Sequence, residues 1–339
     1  MENKKVLHVQ KLDFQWATES PFLVTMYHND AYPTGNEAQG PSTSLEGRKI
    51  GEDFTIKDGF RMYHGETVPG FPYHPHRGFE TVTVVTEGFV DHFDSTGASG
   101  RYGNGDVQWL TTGKGCLHSE MFPLVNKNED NPLELFQIWL NLPAKNKFAD
   151  PEYKMLWAEN IPVIQSVAEN GKKSTVRLVA GQLAGKESLE PSRASWAKEK
   201  NNHVGIYLIT MEPEASITLP SVSSTLNRNV YYYKGNEIKI DDTIISSSNR
   251  VKLVGDQEII IHNGSKASQL LVLEGEPIQE PIAQYGPFVM NTQDEIREAF
   301  NEYRQTQFGG WPWDRSDPIN ERDSGRFAHH GDGTIDKRS

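Results

Sequence analysis

Short β-forming segments separated by turn residues run through most of the sequence and constrain its fold more than any other feature. Each is rich in β-branched, aliphatic or aromatic residues, and Gly, Pro, Asn or Asp interrupts the chain at intervals of about 8 to 20 residues. The clearest segments lie at 81–86, 107–110, 134–140, 175–179, 205–211, 216–219, 230–233, 259–262 and 269–273. Because the strand–helix alternation of a parallel sheet is missing, the pattern predicts an all-β protein of the sandwich or barrel type.

The strand segments fall into two groups, which predicts two β-domains. One group spans residues 20–142 and the other spans 173–277. Residues 143–172 between them are polar, which is typical of a linker. The turn-rich residues 30–57 predict an insertion or a long surface loop.

One helix is predicted near the C-terminus, in the stretch TQDEIREAFNEYR that begins at Thr292. Thr292 and Glu295 have the spacing of a capping box, and a glycine pair follows the element. The apolar stripe of this helix consists of Ile296, Ala299, Phe300 and Tyr303. The sequence after Trp313 is polar and glycine-rich, which predicts a flexible tail.

Charge, hydropathy and cysteine content exclude several classes of protein. The net charge is −12, and basic residues are interspersed with acidic ones, so no surface for a phosphate backbone is predicted. No stretch approaches the roughly 18 apolar residues of a membrane span, and the first residues lack the apolar core of a signal peptide. Cys116 is the only cysteine, so no intrachain disulfide is expected. We therefore expect a cytoplasmic protein whose partners include no membrane and no directly bound nucleic acid.

The stretch GFPYHPHRGF places two histidines on either side of a proline. Alternate side chains of a strand point the same way, so His74 and His76 share a face with Cα atoms about 6.5–7 Å apart. Pro75 has a fixed φ and biases His74 towards an extended conformation. At this separation two imidazoles can bind one metal ion.

A second motif with the same spacing lies in GNGDVQWLTTGKGCLHSEMFP, where His118 and Glu120 are also two residues apart. If the two strands face each other, the four side chains supply three nitrogens and one carboxylate. This set suits Fe(II), Mn(II), Ni(II) or Co(II) better than Ca²⁺ or Mg²⁺, which prefer oxygen ligands. Either motif alone more often consists of surface residues without a ligand than of a metal site. The metal prediction therefore depends on both motifs.

Other polar side chains near the motifs have simpler interpretations. Glu80 has even spacing from His76, and we interpret it as a residue that orients a ligand or as a structural residue. Cys116 is interpreted as a buried cysteine and not as a nucleophile. Six further histidines are interpreted as isolated structural or surface residues: His8, His28, His64, His92, His203 and His262.

The two motifs in their context resemble the signature of the pirin family, a group of bicupin proteins. The resemblance rests on FPYHPHRGFETVT (71–83) and GDVQWLTTGKGCLHSEM (105–121), and GPFVMNTQDEIREAFNEYRQTQFG (286–309) is similar to the closing helix of the family. It implies an all-β fold of two cupin (jelly-roll) β-barrels packed face to face, with a short C-terminal helix. Composition and resemblance together predict an N-terminal barrel (1–142), a linker (143–172), a C-terminal barrel (173–285), a helical segment (286–313) and a flexible tail (314–339).

The resemblance also implies the metal site and its position. The N-terminal barrel of pirins holds one divalent transition-metal ion through the residues that match His74, His76, His118 and Glu120. Fe(II) is favoured, with Ni, Mn, Co, Cu and Zn as alternatives. The C-terminal barrel generally lacks a metal site, and no His-x-His occurs in 173–277. The 30–57 loop and the long tail depart from the family pattern, which leaves the substrate open.

Two functions follow from the resemblance. Some members are similar to quercetin 2,3-dioxygenases, which open the flavonol heterocycle with O₂ and release carbon monoxide. In that case Glu120 is the candidate base for the 3-hydroxyl proton. Phe71, Phe79 and Trp109 are candidate walls for a small planar aromatic substrate, although core packing is the favoured interpretation of each. The alternative is a non-enzymatic, iron-binding redox sensor or regulator that acts through a protein partner. A monomer is expected in either case.

Overall fold

The computed structural model describes residues 4–338 and divides into two compact units. Residues 27–158 and 280–338 form one unit, called here the histidine unit because it contains both motifs. Residues 4–26 and 159–279 form the other, called the companion unit. Within the described residues, no helix has the length and apolar character needed to cross a membrane.

Eleven strands of the described chain precede residue 159, where the longer segment of the companion unit begins. They are β1 Val6–Lys11, β2 Gln15–Trp16, β3 Phe22–Tyr32, β4 Gly70–His76, β5 Phe79–Glu87, β6 Phe89–Asp94, β7 Ser99–Gly103, β8 Val107–Thr111, β9 Cys116–Met121, β10 Asn131–Asn141 and β11 Glu152–Leu156. A 3₁₀ turn at Ala144–Asn146 separates the last two.

Twelve strands follow in the companion unit. They are β12 Val163–Val167, β13 Lys173–Ala180, β14 Gln182–Leu183, β15 Lys186–Glu187, β16 Gly205–Met211, β17 Ser216–Leu219, β18 Asn227–Lys234, β19 Glu237–Ile240, β20 Thr243–Ser246, β21 Asn249–Leu253, β22 Ile259–Asn263 and β23 Ser268–Gly275. Two 3₁₀ turns, Trp196–Lys198 and Lys200–Asn202, precede β16.

The described residues after 279 belong to the histidine unit and contain one α-helix and four short strands. These elements are β24 Ala283–Tyr285, β25 Phe288–Met290, helix α1 Gln293–Thr306, a 3₁₀ turn at Gln307–Gly309, β26 Arg326–His329 and β27 Ile335–Arg338. The capping box forms as predicted, since the Thr292 hydroxyl accepts from the Glu295 N–H and the Glu295 carboxylate accepts from the Thr292 N–H. Ile296 and Ala299 are the buried residues of the predicted stripe.

Two antiparallel sheets carry the histidine unit, as in a jelly roll. One contains β11, β8, β5, β10 and β3 in that order, and the other has the order β27-β26-β7-β6-β9-β4. A buried cluster that includes Tyr63, Val85, Tyr102, Phe122 and Leu135 forms part of its core. The predicted all-β class with a short C-terminal helix is confirmed.

The companion unit is also built from antiparallel strands. A seven-stranded sheet has the order β1-β21-β18-β23-β16-β13-β12, and a four-stranded sheet has the order β17-β22-β19-β20. Aliphatic side chains from both sheets, such as Val176, Ile209, Leu219, Ile261 and Leu270, share one core.

The structure distributes three segments differently from the predicted ranges. β1 pairs with β21, so residues 6–11 belong to the companion unit and not to the N-terminal barrel. The predicted linker 143–172 contains two sheet strands, β11 and β12. The predicted flexible tail contains β26 and β27, and β26 pairs with β7. β1, β11 and β26 each pair with a strand that is distant in sequence, whereas β12 pairs with its neighbour β13. Local composition carries no signal for the distant pairings.

Candidate metal centre

Strand pairing brings the two sequence motifs side by side. β4 and β9 are antiparallel neighbours, with His74 opposite His118 and His76 opposite Cys116. An irregularity in β4 lies between Phe71, which is opposite Glu120, and His74. Because β9 lies between β4 and β6 in the sheet, its own side chains can meet those of both neighbours.

Three of the predicted ligands converge. One ring nitrogen from each of His74, His76 and His118 lies within 4.8 Å of the other two. The ring centroids are 4.5 Å apart for His74 and His118, 4.7 Å for His74 and His76, and 5.0 Å for His76 and His118. This spacing allows three imidazoles to bind a single ion with small side-chain adjustments.

Glu120, the fourth predicted ligand, lies beside this group and outside its 4.8 Å limit. Its Oε2 atom is 3.9 Å from His118 Nε2 and accepts a hydrogen bond of 2.6 Å from Gln137 Nε2. The Thr83 hydroxyl lies 3.0 Å from Glu120 Oε1 and 2.6 Å from Gln137 Oε1. A single hydroxyl hydrogen cannot serve both oxygens, so a proton on Glu120 completes the network. Burial also raises the pKa of Glu120, which favours the neutral acid when no cation is near.

Backbone carbonyls fix the tautomers of two histidines. His74 Nδ1 lies 2.9 Å from the Pro72 carbonyl oxygen, and His76 Nδ1 lies 3.3 Å from that of Pro287. A carbonyl oxygen only accepts, so each Nδ1 carries the hydrogen and each Nε2 keeps a free lone pair. This is the usual arrangement behind a metal-binding histidine.

His118 supplies the observation that tests whether a metal fits. Both of its ring nitrogens are buried, and neither has a hydrogen-bond partner among the described residues. Leaving a buried polar group without a partner costs about 1–3 kcal/mol. A cation bound between the three imidazoles satisfies one of these nitrogens, so the side chains present fit a transition-metal ion.

The protonation state of the histidines also suits a cation. Burial lowers the pKa of His74 to about 4 and holds the pKa values of His76 and His118 well below their usual range. All three rings are therefore neutral near pH 7, and their lone pairs are available to a metal ion.

A histidine–aspartate pair on β6 belongs to the surroundings of the site and was not predicted from the sequence. His92 lies opposite Glu120 and Asp94 lies opposite His118 in the strand register. The two side chains are joined by a 3.0 Å contact between His92 Nε2 and Asp94 Oδ2, and the His92 ring centroid is 5.8 Å from that of His118. His92 and Asp94 have the same two-residue spacing as the two recognised motifs, and this was the available signal.

The remaining candidates near the site have structural surroundings. Glu80 is fully buried, and its Oε1 accepts from Trp109 Nε1 at 3.0 Å and from Thr111 Oγ1 at 2.7 Å. Trp109 is itself fully buried, so it packs in the core and does not form a substrate wall. Cys116 is buried, and burial raises the pKa of its thiol, which is the opposite of what a nucleophile needs.

Aromatic side chains lie on two sides of the histidines. Phe71 is half-buried, with its ring centroid 6.3 Å from that of His74, and Trp139 is half-buried at 5.2 Å from His76. Phe79, fully buried, packs 5.0 Å from His76 and 4.3 Å from Trp139. The 30–57 loop adds Phe54, which is 37% exposed and lies 6.4 Å from Phe71. This loop therefore reaches the aromatic side chains beside the site.

The low histidine pKa values predict an acid-sensitive metal-free protein. Burial lowers the pKa to about 3 for His28 and about 4 for His74, whereas an unfolded histidine titrates near 6.5. Between these values the unfolded chain binds protons that the folded chain does not, so stability falls as the pH drops from about 6.5 towards 4. Urea midpoints of the metal-free protein across this range test the expectation. We expect His28→Phe to flatten the dependence and His262→Asn, at an exposed histidine, to leave it unchanged. A midpoint that stays constant would contradict it.

Comparison with known proteins decides the family. Residues 36–140 match the family described as Pirin, and residues 206–309 match the pirin C-terminal cupin domain. The chain belongs to the pirin family. The resemblance drawn from the motifs and the prediction of two cupin domains are thereby confirmed.

Individual pirin relatives cover most of the chain. A Pseudomonas aeruginosa protein that is provisionally named a quercetin 2,3-dioxygenase is 34% identical over 238 residues, which cover 70% of this chain and 79% of the relative. Pirin-like protein 2 of Arabidopsis thaliana is 34% identical over 274 residues, 77% of each chain. The crystal structure of a quercetin 2,3-dioxygenase from Acinetobacter baumannii matches with a TM-score of 0.71 at 27% identity, covering 90% of this chain and 98% of that one.

Proposed function

We propose that this pirin holds one divalent transition-metal ion, Fe(II) being favoured, and acts as a dioxygenase on flavonols. The proposal depends on the convergence of three neutral imidazoles, those of His74, His76 and His118. Neither ring nitrogen of His118 has a hydrogen-bond partner among the described residues. His74, His76 and His118 would hold the ion, and Glu120 would complete the set after losing its proton. Three nitrogens and one carboxylate suit Fe(II), Mn(II), Ni(II) or Co(II).

The residues around the ion have separate tasks in this proposal. When bound, the ion supplies Lewis acidity and redox chemistry. Glu120 takes the proton of the flavonol 3-hydroxyl on a carboxylate oxygen, because it is the carboxyl group that lies beside the imidazoles. Gln137 and Thr83 keep that carboxyl group in place through hydrogen bonds of 2.6 and 3.0 Å.

The aromatic side chains provide the surface that a flat substrate needs. Phe71 and Trp139 are half-buried beside His74 and His76, and Phe54 extends the surface from the 30–57 loop. Pockets that bind small molecules are lined mainly by such apolar groups, with a few polar groups that fix orientation. Relatives named for quercetin 2,3-dioxygenase activity support the same substrate class.

Oxygen uptake tests the proposal directly. Protein loaded with Fe(II), Ni(II), Mn(II) or Co(II) is mixed with quercetin, and O₂ consumption is measured together with release of carbon monoxide. We expect uptake with release of one carbon monoxide per O₂. No uptake with any of these metals and several flavonols would refute the dioxygenase. If metal analysis of the same samples then showed a bound ion, the non-enzymatic iron-binding regulator would become the better description.

Replacing Glu120 by glutamine tests the role of its carboxylate. Glu120→Gln keeps the shape but removes the proton acceptor, so we expect turnover at saturating metal to fall by about 10²–10⁴-fold. The amide is also a weaker ligand, so metal affinity should fall as well. Glu87→Gln makes the same change at an exposed position of β5 and serves as the control. Wild-type turnover in Glu120→Gln with the metal fully bound would exclude Glu120 as the base.

A further inference from the structure

The segment 311–338, called here the C-terminal strap, follows the region that matches the pirin C-terminal domain, which ends at residue 309. The sequence predicted a flexible tail for most of it. In the structure it lies along the sheet that carries the histidines, and it ends in β26 and β27, of which β26 pairs with β7. Three sets of contacts connect the strap to the candidate metal centre.

The first set holds β4. This strand is the last in its sheet, so its outer backbone groups need partners from elsewhere. The Tyr73 N–H donates to the Ser316 carbonyl oxygen at 2.7 Å, and the Trp311 ring stacks on the Tyr73 ring at 4.9 Å with an angle of 20°. Tyr73 separates Pro72, whose carbonyl fixes the His74 tautomer, from His74 itself. The strap therefore restrains the residue in the middle of this hydrogen-bonded turn.

The second set holds β6, on the other side of β9. Trp313 Nε1 donates to the Asp94 carbonyl oxygen at 2.8 Å, and its ring packs edge-on against Phe93 at 4.8 Å. Asp94 is the residue opposite His118 in the strand register. Trp311 and Trp313, which are two residues apart in the sequence, thus restrain the two strands that flank the His118 strand.

The third set anchors the strap in the interior of the histidine unit. The buried Arg101 side chain pairs with Asp91 through bonds of 2.7 and 2.8 Å. The same guanidinium donates to the carbonyl oxygens of three consecutive strap residues, Asn320, Glu321 and Arg322, at 3.1, 3.0 and 2.8 Å. The Asn320 N–H donates back to Asp91 Oδ2 at 2.8 Å. Charged, buried hydrogen bonds of this kind specify one docked position.

We propose that the C-terminal strap is a positioning element of the metal centre, in which Trp311 and Trp313 hold β4 and β6 in place and thereby slow release of the ion. The inference rests on the proposed metal site and adds the strap as a determinant of metal retention. Groups that orient metal ligands typically contribute about 10–100-fold to metal affinity. The strap acts one step further from the ion, so the lower end of that range, about tenfold, is the effect expected.

Metal release from two tryptophan variants tests the inference. Full-length Trp311→Ala and Trp313→Ala are loaded with Ni(II), and transfer of the ion to excess EDTA is followed with time. We expect release about tenfold faster than from wild type, the lower end for a ligand-orienting group. We also expect Trp311→Phe, which retains a stacking ring, to restore slow release. The visible spectrum of Co(II)-loaded protein should shift in the alanine variants because the geometry of the histidines changes.

A tryptophan of the companion unit provides the matched control. Trp196 is also half-buried, and its Nε1 donates to a backbone carbonyl, that of Glu276, at 2.9 Å. We expect Trp196→Ala to lower stability without changing the release rate or the Co(II) spectrum. If an alanine variant does not fold, Trp313→Phe replaces it, because this variant keeps an aromatic ring beside Phe93 and removes the hydrogen bond to Asp94.

The outcomes separate this inference from the proposed function. Wild-type protein that retains no ion would refute the metal site itself. Wild-type protein that retains the ion while all strap variants release it at the wild-type rate would refute the role of the strap alone. Equal acceleration in Trp196→Ala would assign the effect to general stability and would also overturn the inference.

Discussion

His118→Leu is expected to abolish metal binding and at the same time to stabilise the metal-free protein. Leucine fills a similar volume but offers no lone pair, so the bound ion loses a ligand. Loss of a group that orients a ligand lowers metal affinity by up to about 100-fold. Loss of the ligand itself should lower the metal affinity by more than this. Both ring nitrogens of His118 are buried without hydrogen-bond partners in the described part of the chain. Removing them should therefore raise the free energy of unfolding of the metal-free protein by about 1–2 kcal/mol.

Two measurements check that metal binding falls while the stability of the metal-free protein rises. Elemental analysis of the purified variant gives metal content, and urea unfolding of metal-free samples gives stability. His262→Leu, at an exposed histidine of β22, is the control and should retain the wild-type metal content. A His118→Leu protein that is both metal-loaded and less stable than wild type would show that His118 is a structural residue. The prediction distinguishes a residue kept for function from one kept for stability.

The parts of the site that could be predicted from sequence depend on local geometry. Side chains two residues apart share a face of a strand, which is why His74 pairs with His76, and His118 with Glu120. The capping box at Thr292 is likewise local, and it forms as predicted. Pairing of β4 with β9 cannot be predicted in this way, since spacing within one strand contains no information about its neighbour.

The parts that could not be predicted depend on pairing between distant residues. β1 joins β21, and β26 joins β7, although neither terminal segment has an unusual sequence. The strap looked flexible because it is polar and glycine-rich, yet its backbone carbonyls are satisfied by a buried arginine far away in the chain. Composition reports how much apolar surface a segment can bury, but it does not report hydrogen bonds supplied from elsewhere.

His92 shows the same limit in the site itself. In the sequence it is an isolated histidine, because no ligand motif surrounds it. The register of β6 with β9 places it opposite Glu120, and its ring stacks on that of Tyr153 at 4.8 Å. The two-residue spacing to Asp94 identifies His92 as a candidate site residue. It does not show which residues lie beside His92, because these follow from the order of strands in the sheet.

Asp91→Ala is expected to be among the most destabilising single substitutions in the histidine unit. The substitution removes the Asp91 carboxylate that pairs with the buried Arg101 guanidinium, and it removes the acceptor of the Asn320 N–H. Breaking a buried ion pair by removing one partner costs about 3–5 kcal/mol. Because Asn320 belongs to the C-terminal strap, the strap should also be released.

Urea unfolding of the Asp91→Ala protein measures the first effect, and limited proteolysis measures the second, as faster cleavage within residues 311–338. Glu37→Ala is the control, because it removes an exposed ion pair with Lys127 and should leave both the unfolding midpoint and the cleavage rate unchanged. A loss below about 1 kcal/mol, the range of a surface pair, would show that Asp91 and Arg101 do not anchor the strap. If the Asp91–Arg101 pair anchors the strap, Asp91→Ala should both lower the stability of the protein and speed cleavage of the strap.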